Sequence, residues 1–195
     1  MKVAIIKYNA GNIQSVRFAM ERMNVKFNVT DDLEEIQSAD KVIFPGVGEA
    51  RTTMTYLREK KLDQLITNLK QPVLGICLGM QLMCQHSDEN DTPCLGIFDE
   101  TVQKFETLNG LKVPHMGWNN LQLCNGWLPE SLQQKYVYFV HSYYVPVSRY
   151  STAVCTYGID FSASLRKDNF FAVQFHPEKS AEAGELVLQS FFQTK

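Results

Sequence analysis

The hydrophobic and polar positions of the chain follow a regular alternation over its first half. Residues 3–6, 42–44 and 73–76 are continuous apolar runs, which are typical of short strands buried on both faces, and residues 25–29 alternate as a further strand does. Between these runs, apolar residues recur at helical spacing, which predicts helices. The first such pattern consists of Ile13, Val16, Ala19, Met20 and Met23.

Further helices are predicted in the same half of the chain. Asp31 and Asp32 are suited to cap a short helix that follows them. Residues 62–69 and 78–85 also have helical spacing of their apolar positions. Because strands alternate with helices, we predict a parallel sheet covered by helices.

The second half of the chain is predicted to be rich in strands. Strand-like segments separated by turn residues occupy residues 113–116, 121–123, 136–140, 153–157, 162–166 and 170–175. Residues 183–192 return to helical spacing. We therefore predict one α/β domain over residues 1–195, with a mostly parallel, twisted sheet flanked by helices and an additional, largely antiparallel β segment in the second half.

Composition and charge exclude several classes of function. The chain has 19 basic and 21 acidic side chains, so its formal net charge of -2 provides no basic field for nucleic acid. No apolar run approaches the roughly 20 residues of a membrane span, and the first run is also too short for a signal peptide. We expect neither nucleic acid nor a membrane as a partner.

The cysteines indicate a reducing environment. There are five, an odd number, and no C-x-x-C pair occurs, so neither a disulfide framework nor a zinc site is expected. We therefore predict a cytoplasmic protein without a metal or other cofactor. Four of the cysteines lie outside any motif and are interpreted as core or surface residues: Cys84, Cys94, Cys124 and Cys155.

The fifth, Cys77, carries the strongest chemical signal in the sequence. It is the centre of a G-x-C-x-G motif, from Gly75 to Gly79, between a predicted strand and a predicted helix. This is the nucleophile-elbow pattern, in which a sharp turn exposes the central side chain and the glycines avoid clashes. The N-terminus of the following helix favours a thiolate, and the N–H of Leu78 is placed to bind an oxyanion. The alternative is a small cysteine buried in a tight turn.

His176 and Glu178 are the candidate partners of this thiol. A cysteine nucleophile needs a base, and the base needs a group that orients it. In an extended segment residues i and i+2 project to the same side, so Glu178 can reach the imidazole of His176. Taken alone, the H-P-E sequence is also compatible with a surface turn. A doubly wound sheet brings strand ends to one edge, which can unite Cys77 with His176, whereas His86 is interpreted as ending a helix.

Three segments of the chain resemble the signature segments of class I (triad-type) glutamine amidotransferases, in the same order. They are Pro45-Gly46-Val47-Gly48, residues 75–83 (G-I-C-L-G-M-Q-L-M) and residues 174–178 (Q-F-H-P-E). The P-G-x-G loop alone is compatible with exposed backbone donors or with a plain tight turn. Together the three segments are highly specific, and the resemblance implies a flavodoxin-like class I glutaminase fold.

Three further segments resemble one branch of that family, the glutaminase subunits of imidazole glycerol phosphate synthases. They are Y-N-A-G-N at residues 8–12, H-M-G-W-N at residues 115–119 and F-V-H-S-Y at residues 139–143. The resemblance extends nearly from end to end of the chain. Lys7 departs from it, because many relatives have an acidic residue there.

The resemblance implies a reaction and a role for each site residue. Cys77 attacks the side-chain amide of L-glutamine, His176 accepts the thiol proton and returns a proton to the departing ammonia, and Glu178 orients His176. Water then hydrolyses the glutamyl thioester to glutamate. The residues implied in holding glutamine and the oxyanion are Gly46, Val47, Gly48, Leu78, Gln81, Ser142 and Tyr143.

The resemblance also implies a protein partner. The partner is a (β/α)8-barrel cyclase subunit, which forms a heterodimer with the glutaminase in histidine biosynthesis and through which the ammonia passes. Asn12, Trp118 and Tyr138 are the candidate contact residues. A tryptophan beside polar groups is typical of interface anchors, and the alternative is that Trp118 belongs to the ordinary core. We assign no catalytic role to His115 or His141.

Other functions remain open at this level. The same triad occurs in glutaminases that serve other synthases, and in free γ-glutamyl hydrolases, which are fully active alone. A binding module without catalysis is a third possibility, against which the intact set of Cys77, His176 and Glu178 argues. At 195 residues the chain has little room for a synthase domain. We therefore expect the chemistry that uses the ammonia to lie in another protein.

Overall fold

A computed structural model of the chain describes residues 1–8, 13–107 and 110–194. Its strands, in chain order, are β1 (Val3–Ile6), β2 (Phe27–Thr30), β3 (Lys41–Phe44), β4 (Val73–Ile76), β5 (Cys84–Ser87), β6 (Thr92–Pro93), β7 (Phe98–Lys104), β8 (His115–Asn120), β9 (Leu123–Cys124), β10 (Tyr136–His141), β11 (Tyr143–Tyr144), β12 (Ser151–Tyr157), β13 (Ile159–Lys167) and β14 (Phe170–Val173). The α-helices are α1 (Ile13–Arg22), α2 (Leu33–Gln37), α3 (Ala50–Glu59), α4 (Leu62–Asn68), α5 (Leu78–Leu82) and α6 (Ala181–Gln193). Short 3-10 turns cover Glu130–Leu132 and Pro177–Lys179.

The main sheet combines a parallel half with an antiparallel half. Its strand order within the described residues is β2-β1-β3-β4-β14-β13-β12-β9. The strands from β2 to β14 are parallel to one another, and β13, β12 and β9 continue the sheet in antiparallel pairs. The parallel half is built from the first half of the sequence, and β14 joins it from near the end of the chain.

Alternate residues of the parallel strands face two separate cores. In β1, Val3 and Ile5 pack into the core that α1 and α6 cover, whereas Ala4 and Ile6 pack into the core that α2, α3 and α4 cover. Each of β1, β3, β4 and β14 is buried over its full length. Burying one large aliphatic side chain contributes about 1.5–3 kcal/mol, so continuous apolar runs are stable when both faces are covered.

Two small sheets lie beside the main one. β8 and β10 form an antiparallel pair, and β11, β7, β5 and β6 form a four-stranded sheet within the described residues. β7 and helix α3 are not among the elements predicted from the sequence. In α3 the buried residues Ala50, Met54 and Leu57 have helical spacing, and the Glu49 side chain caps the helix by accepting hydrogen bonds from two backbone N–H groups.

The predicted helix over residues 78–85 is too long. Helix α5 ends at Leu82, and the chain then turns into β5, which pairs with the parallel strand β7. His86 therefore lies in a strand, where its Nε2 is 3.0 Å from Oδ1 of Asp91, and the interpretation of His86 as a helix-ending residue is wrong. A helix at residue 85 would remove the strand pairing that holds the small sheet.

None of the helices in the described residues is long and apolar enough to cross a membrane.

Candidate active site

The elbow at Cys77 is formed by the close approach of three backbone segments. Cys77 joins β4 to α5 with φ 53° and ψ -108°, a conformation that is costly for a residue with a side chain. Its N–H donates a 2.8 Å hydrogen bond to the carbonyl of Val173, which ties the elbow to β14. A methyl group on Gly79 would lie 1.9 Å from the carbonyl oxygen of Phe44, so only glycine fits there.

The neighbouring strand end carries the imidazole. β4 and β14 are adjacent and parallel, with Ile76 paired with Val173, so the residues that follow both strands emerge at the same edge. His176 is buried there, and its Nδ1 is 2.7 Å from Oε1 of Glu178, which is also buried. The other ring nitrogen, Nε2, is buried and is left for Cys77, whose side chain interacts with the imidazole.

The electrostatics of this group favour a protonated imidazole. Burial lowers the pKa of His176, but the charge and hydrogen bond of Cys77, followed by those of Glu178, outweigh burial and raise it to about 10. At neutral pH the imidazole therefore holds its proton when it lies beside a thiolate. Such a pair provides an activated sulfur nucleophile and a proton donor within one site.

The other four cysteines have a different environment. Burial raises the pKa of the Cys84 thiol well above its usual value, and it raises the pKa of Cys94 and Cys155 to about 12 and that of Cys124 to about 11. Burial therefore disfavours the thiolate form of these four cysteines at neutral pH. Cys84, Cys124 and Cys155 are buried and Cys94 is partly buried, in agreement with their interpretation as core or surface residues.

The Cys77 thiol faces a cavity of about 300 Å³. The lining includes most of the residues that the resemblance connects with glutamine: Val47, Gly48, Leu78, Gln81, Ser142 and Tyr143. Gly46 lines a separate small cavity beside His176 and Glu178. The remaining residues around the cavity of Cys77 were not predicted from the sequence: Glu89, Pro114, Val140 and His141.

Glu89 is the acidic residue at this cavity that sequence reasoning missed. It follows β5 in the turn toward β6, and its carboxylate accepts a 2.8 Å hydrogen bond from the N–H of Ala50 at the start of α3. Burial raises its pKa above the usual value for a glutamate. No motif surrounds Glu89 in the sequence, and its position beside the cavity depends on the packing of the small sheet against α3.

The candidate oxyanion donor, the N–H of Leu78, is already bonded in this conformation. It donates to the carbonyl oxygen of Gly46 at 3.3 Å. The side-chain amide of Gln81 is also engaged, because its Nε2 donates to the carbonyl of Tyr143 at 3.0 Å and to Oε1 of Gln174 at 3.0 Å. The Gln81 amide therefore has its oxygen, an acceptor, available for a ligand in the cavity.

The candidate partner contacts lie on the pair of strands β8 and β10. Trp118 and Tyr138 are directly opposite each other, and their ring centroids are 6.0 Å apart. Trp118 is 53% exposed, which excludes the alternative that it is an ordinary core residue. The third candidate, Asn12, lies outside the described residues.

Within the described part of the chain, no group of three or more histidine, cysteine, aspartate or glutamate side chains is arranged to hold a metal ion. The arrangement at Cys77 provides acid–base and nucleophilic groups instead, which suit acyl transfer from an amide to sulfur and then to water.

Comparisons with known proteins agree with the fold. Residues 5–194 match the family described as Glutamine amidotransferase class-I. Imidazole glycerol phosphate synthase subunit HisH of Bacteroides fragilis (strain ATCC 25285) is 56% identical over 195 residues, which cover 99% of this chain and 100% of that protein. The subunit of the same name from Bacteroides thetaiotaomicron is 57% identical over 193 residues, which cover 98% of each chain.

A solved structure described as a glutamine amidotransferase superposes with a TM-score of 0.76 at 17% identity, and the match covers 98% of this chain and 97% of that one. The predicted fold class is thereby confirmed. The chain belongs to the class I glutamine amidotransferase family and, within it, to the HisH subunits of imidazole glycerol phosphate synthase. It is therefore an enzyme, a glutamine amidotransferase.

Proposed function

We propose that this chain hydrolyses L-glutamine to glutamate and ammonia and delivers the ammonia to a (β/α)8-barrel cyclase subunit, for imidazole glycerol phosphate formation in histidine biosynthesis. The observation that carries the proposal is the buried pair of His176 and Glu178 beside the Cys77 elbow, at the wall of a cavity. The names of the HisH relatives support the choice of the synthase.

The reaction begins with the sulfur of Cys77. The thiolate attacks the side-chain amide carbon of glutamine and forms the carbon–sulfur bond while the carbonyl electrons move to oxygen. The imidazolium of His176 then gives its proton to the amide nitrogen, the carbon–nitrogen bond breaks and ammonia leaves. His176 next removes a proton from water, which attacks the thioester and releases glutamate and the thiolate. Glu178 keeps Nε2 of the imidazole directed at these atoms by holding Nδ1.

The cavity has groups that suit the other end of a glutamine molecule. The free α-amino group of the substrate is a cation, which favours acceptors and negative charge. Glu89 and Gln81 both line the cavity that holds Cys77, and because the nitrogen of the Gln81 amide makes the hydrogen bonds described above, its oxygen is left as the acceptor for a ligand. We therefore assign them to the α-ammonium group, and Ser142 and Tyr143 to the rest of the amino-acid moiety.

The oxyanion site is proposed to be incomplete in this conformation. The N–H of Leu78 donates to the carbonyl of Gly46, so it is not free for a developing oxyanion. A donor of this kind can contribute about 3 kcal/mol at the transition state. A movement of the loop from Gly46 to Gly48 would release Leu78 and turn a backbone N–H of the loop toward the site. We expect the partner subunit to favour that movement.

The experiment that tests this function measures glutamate release from glutamine by the purified chain. It is done first alone and then with the barrel cyclase subunit and its nucleotide ligand. We expect low activity alone and a rise of about 10²-fold or more in the complex, which corresponds to one recovered oxyanion donor. High activity alone without a response to the partner would favour a free γ-glutamyl hydrolase or the subunit of another synthase. No activity under either condition would favour a binding module.

The outer face of β8 and β10 is proposed as the docking surface for the cyclase. Cross-strand pairing places Met116 beside Val140 and Trp118 beside Tyr138, and Tyr136 lies two pairs further along. Met116 is 62% exposed and Tyr136 is 60% exposed, so with Trp118 they form an apolar, aromatic patch. The backbone of Tyr138 accepts a 2.9 Å hydrogen bond from the N–H of His176, so this patch adjoins the catalytic edge.

Replacing Trp118 with alanine is expected to weaken the complex by about tenfold or more while the fold is retained, because an exposed aromatic anchor is lost. Titration of the cyclase subunit, followed by calorimetry or by activation of glutaminase activity, measures the loss. Val147→Ala is the matched control, since Val147 is 49% exposed but lies outside this pair of strands. Equal affinity of the Trp118→Ala variant and the wild-type chain would remove Trp118 from the interface.

Replacing Glu178 with glutamine is expected to reduce activity by about 10²- to 10⁴-fold, less than the loss of Cys77, because orientation is only part of the catalysis. The substitution also removes a charge that raises the pKa of His176. The imidazolium is present below its pKa and is lost as the pH rises through about 10, so a lower pKa moves the alkaline limb of activity to lower pH. A pH–rate profile of kcat/KM measures the shift of the alkaline limb. An alkaline limb at the same pH as in the wild-type chain would contradict the role assigned to Glu178.

The organisation and location of the protein complete the proposal. We infer a single glutaminase domain over residues 1–195, supported by the strand β14, which joins the end of the chain to the first-half sheet. All five cysteines are free, which suits a reducing compartment and supports the predicted cytoplasmic location.

A further inference from the structure

Gln174 connects the nucleophile to the amide that lines the cavity. Its side chain is fully buried at the end of β14, two residues before His176. One end of its amide, Nε2, donates to Sγ of Cys77 at 3.6 Å, and the other end, Oε1, accepts from Nε2 of Gln81 at 3.0 Å. We propose that Gln174 is a positioning residue for both: it stabilises the Cys77 thiolate and sets the orientation of the Gln81 amide. The part that concerns Gln81 rests on the proposed function.

The direction of these hydrogen bonds follows from one backbone carbonyl. The carbonyl oxygen of Tyr143 can only accept, and it lies 3.0 Å from Nε2 of Gln81, so that atom of Gln81 is the NH₂ nitrogen. The Gln174 atom that faces the same NH₂ group has to be an acceptor, hence its oxygen. The NH₂ group of Gln174 therefore faces the sulfur of Cys77.

The Tyr143 carbonyl is itself held by a buried pair of histidines. Nδ1 of His141 is 2.7 Å from this oxygen and therefore carries a hydrogen, which leaves Nε2 of His141 to accept from Nδ1 of His115 at 3.0 Å. Burial lowers the pKa of both residues, His115 to about 4 and His141 to about 3, so both are neutral at pH 7. These hydrogen bonds form one continuous chain from the histidine pair through the Tyr143 carbonyl, Gln81 and Gln174 to the sulfur of Cys77. Every donor in this chain faces an acceptor.

A buried N–H donor favours the thiolate over the thiol. A thiolate accepts a hydrogen bond more strongly than a neutral thiol does, and the difference is larger in a buried site, where water does not compete. The imidazolium of His176 acts in the same direction, whereas the carbonyl oxygen of Val140, 3.9 Å from the sulfur, accepts from the thiol and acts in the opposite direction. Gln174 differs from His176 because it also touches Gln81, so one residue links the state of the nucleophile to the orientation of the Gln81 amide.

A structural role for Gln174, as a polar residue that satisfies its neighbours in the core, predicts a loss of stability on substitution and nothing more. A positioning role predicts a change in the acidity of Cys77 as well. Gln174→Met separates the two, because methionine is similar in volume but has no amide. One N–H of the Gln81 amide then still donates to the Tyr143 carbonyl, whereas the second loses its acceptor, so some loss of stability is expected as well.

The test is the pH dependence of alkylation of Cys77 by iodoacetamide in the full chain, without glutamine or partner, with the modified residue located by mass spectrometry. For Gln174→Met we expect the midpoint to move up by about one pH unit, with about tenfold slower alkylation at pH values below both midpoints. Gln81→Met is the matched control: it keeps the contact between Gln174 and the sulfur, so its midpoint should move much less. In glutaminase assays KM should rise in both variants.

An unchanged alkylation midpoint in folded Gln174→Met, as judged by circular dichroism and thermal melting, overturns the proposal. If that variant does not fold, the wild-type chain labelled with ¹⁵N in its glutamine side chains provides the test. The chemical shift of one side-chain amide should then change with the titration of Cys77, and this change should be lost in Cys77→Ser. If no side-chain amide of the wild-type chain follows the titration, the proposal is overturned. A wild-type chain that is alkylated but releases no glutamate would refute the proposed function alone.

Discussion

Replacing Cys77 with alanine is expected to abolish glutamate release, with a loss of about 10⁵-fold or more relative to the wild-type complex. The reason is that both bond-making steps pass through this sulfur in the proposed mechanism. The other thiols have a pKa raised by burial, for example to about 12 for Cys94 and about 11 for Cys124, so none of them replaces it at neutral pH. The measurement is glutamate release in the presence of the cyclase subunit and its ligand.

The matched control for this substitution is Cys94→Ser. Cys94 is only partly buried and its thiol donates to the backbone of Thr92, away from the cavity of Cys77. This variant should keep nearly all of the activity, and binding of the cyclase subunit to the Cys77→Ala variant should be unchanged. Activity that survives in Cys77→Ala would require a nucleophile elsewhere and would refute the assignment of the triad.

Replacing Gly79 with alanine is expected to lower the free energy of unfolding by about 3 kcal/mol, one of the largest effects of a single added methyl group in this chain. The new Cβ would lie 1.9 Å from the carbonyl oxygen of Phe44, and this contact is with backbone, so the strand β3 or the elbow has to shift. Alanine has a better helix propensity than glycine by about 1 kcal/mol, which is too small to offset the clash. The shift also moves the loop that follows Phe44, so activity should fall with stability.

Chemical denaturation measures this change, with Gly96→Ala as the control. At Gly96 an added methyl group meets nothing within 4 Å, and the cost comes from its φ of +70° alone, about 1 kcal/mol. The difference in the free energy of unfolding between the two variants therefore measures the effect of the close approach of α5 to β3. Equal stability of the two variants would mean that the elbow is not packed against Phe44.

The local order of the elements was largely predictable from the sequence. The runs at residues 3–6, 42–44 and 73–76 are apolar without interruption because both faces of the parallel strands are covered, and each run is a strand in the structure. The strand-rich second half and the final helix follow from periodicity in the same way. The family was identified from short motifs, since an elbow and a glycine loop constrain residue types within a few positions.

The errors in the fold have physical causes of their own. Residues 78–85 have helical spacing, but residues from Cys84 onward pair with β7, and this tertiary pairing overrides the local pattern. β7 itself is mostly polar and exposed along much of its length, so its sequence has no clear strand signal. Helix α3 is rich in threonine, which weakens the intrinsic preference for a helix, and its stability depends on packing and on the cap at Glu49.

The sequence by itself determined which residues are chemically capable of the reaction: a cysteine at an elbow, a histidine, and a glutamate two positions after it. These are local relations, and local spacing is enough to define them. Only the tertiary structure decided which of these groups meet, because β4 and β14 are adjacent in the sheet although they are far apart in the chain. The same is true of Glu89 at the cavity, of Gln174 against the sulfur, and of the bond from Leu78 to Gly46. Such contacts depend on strand order and on close packing between distant segments, which periodicity does not specify.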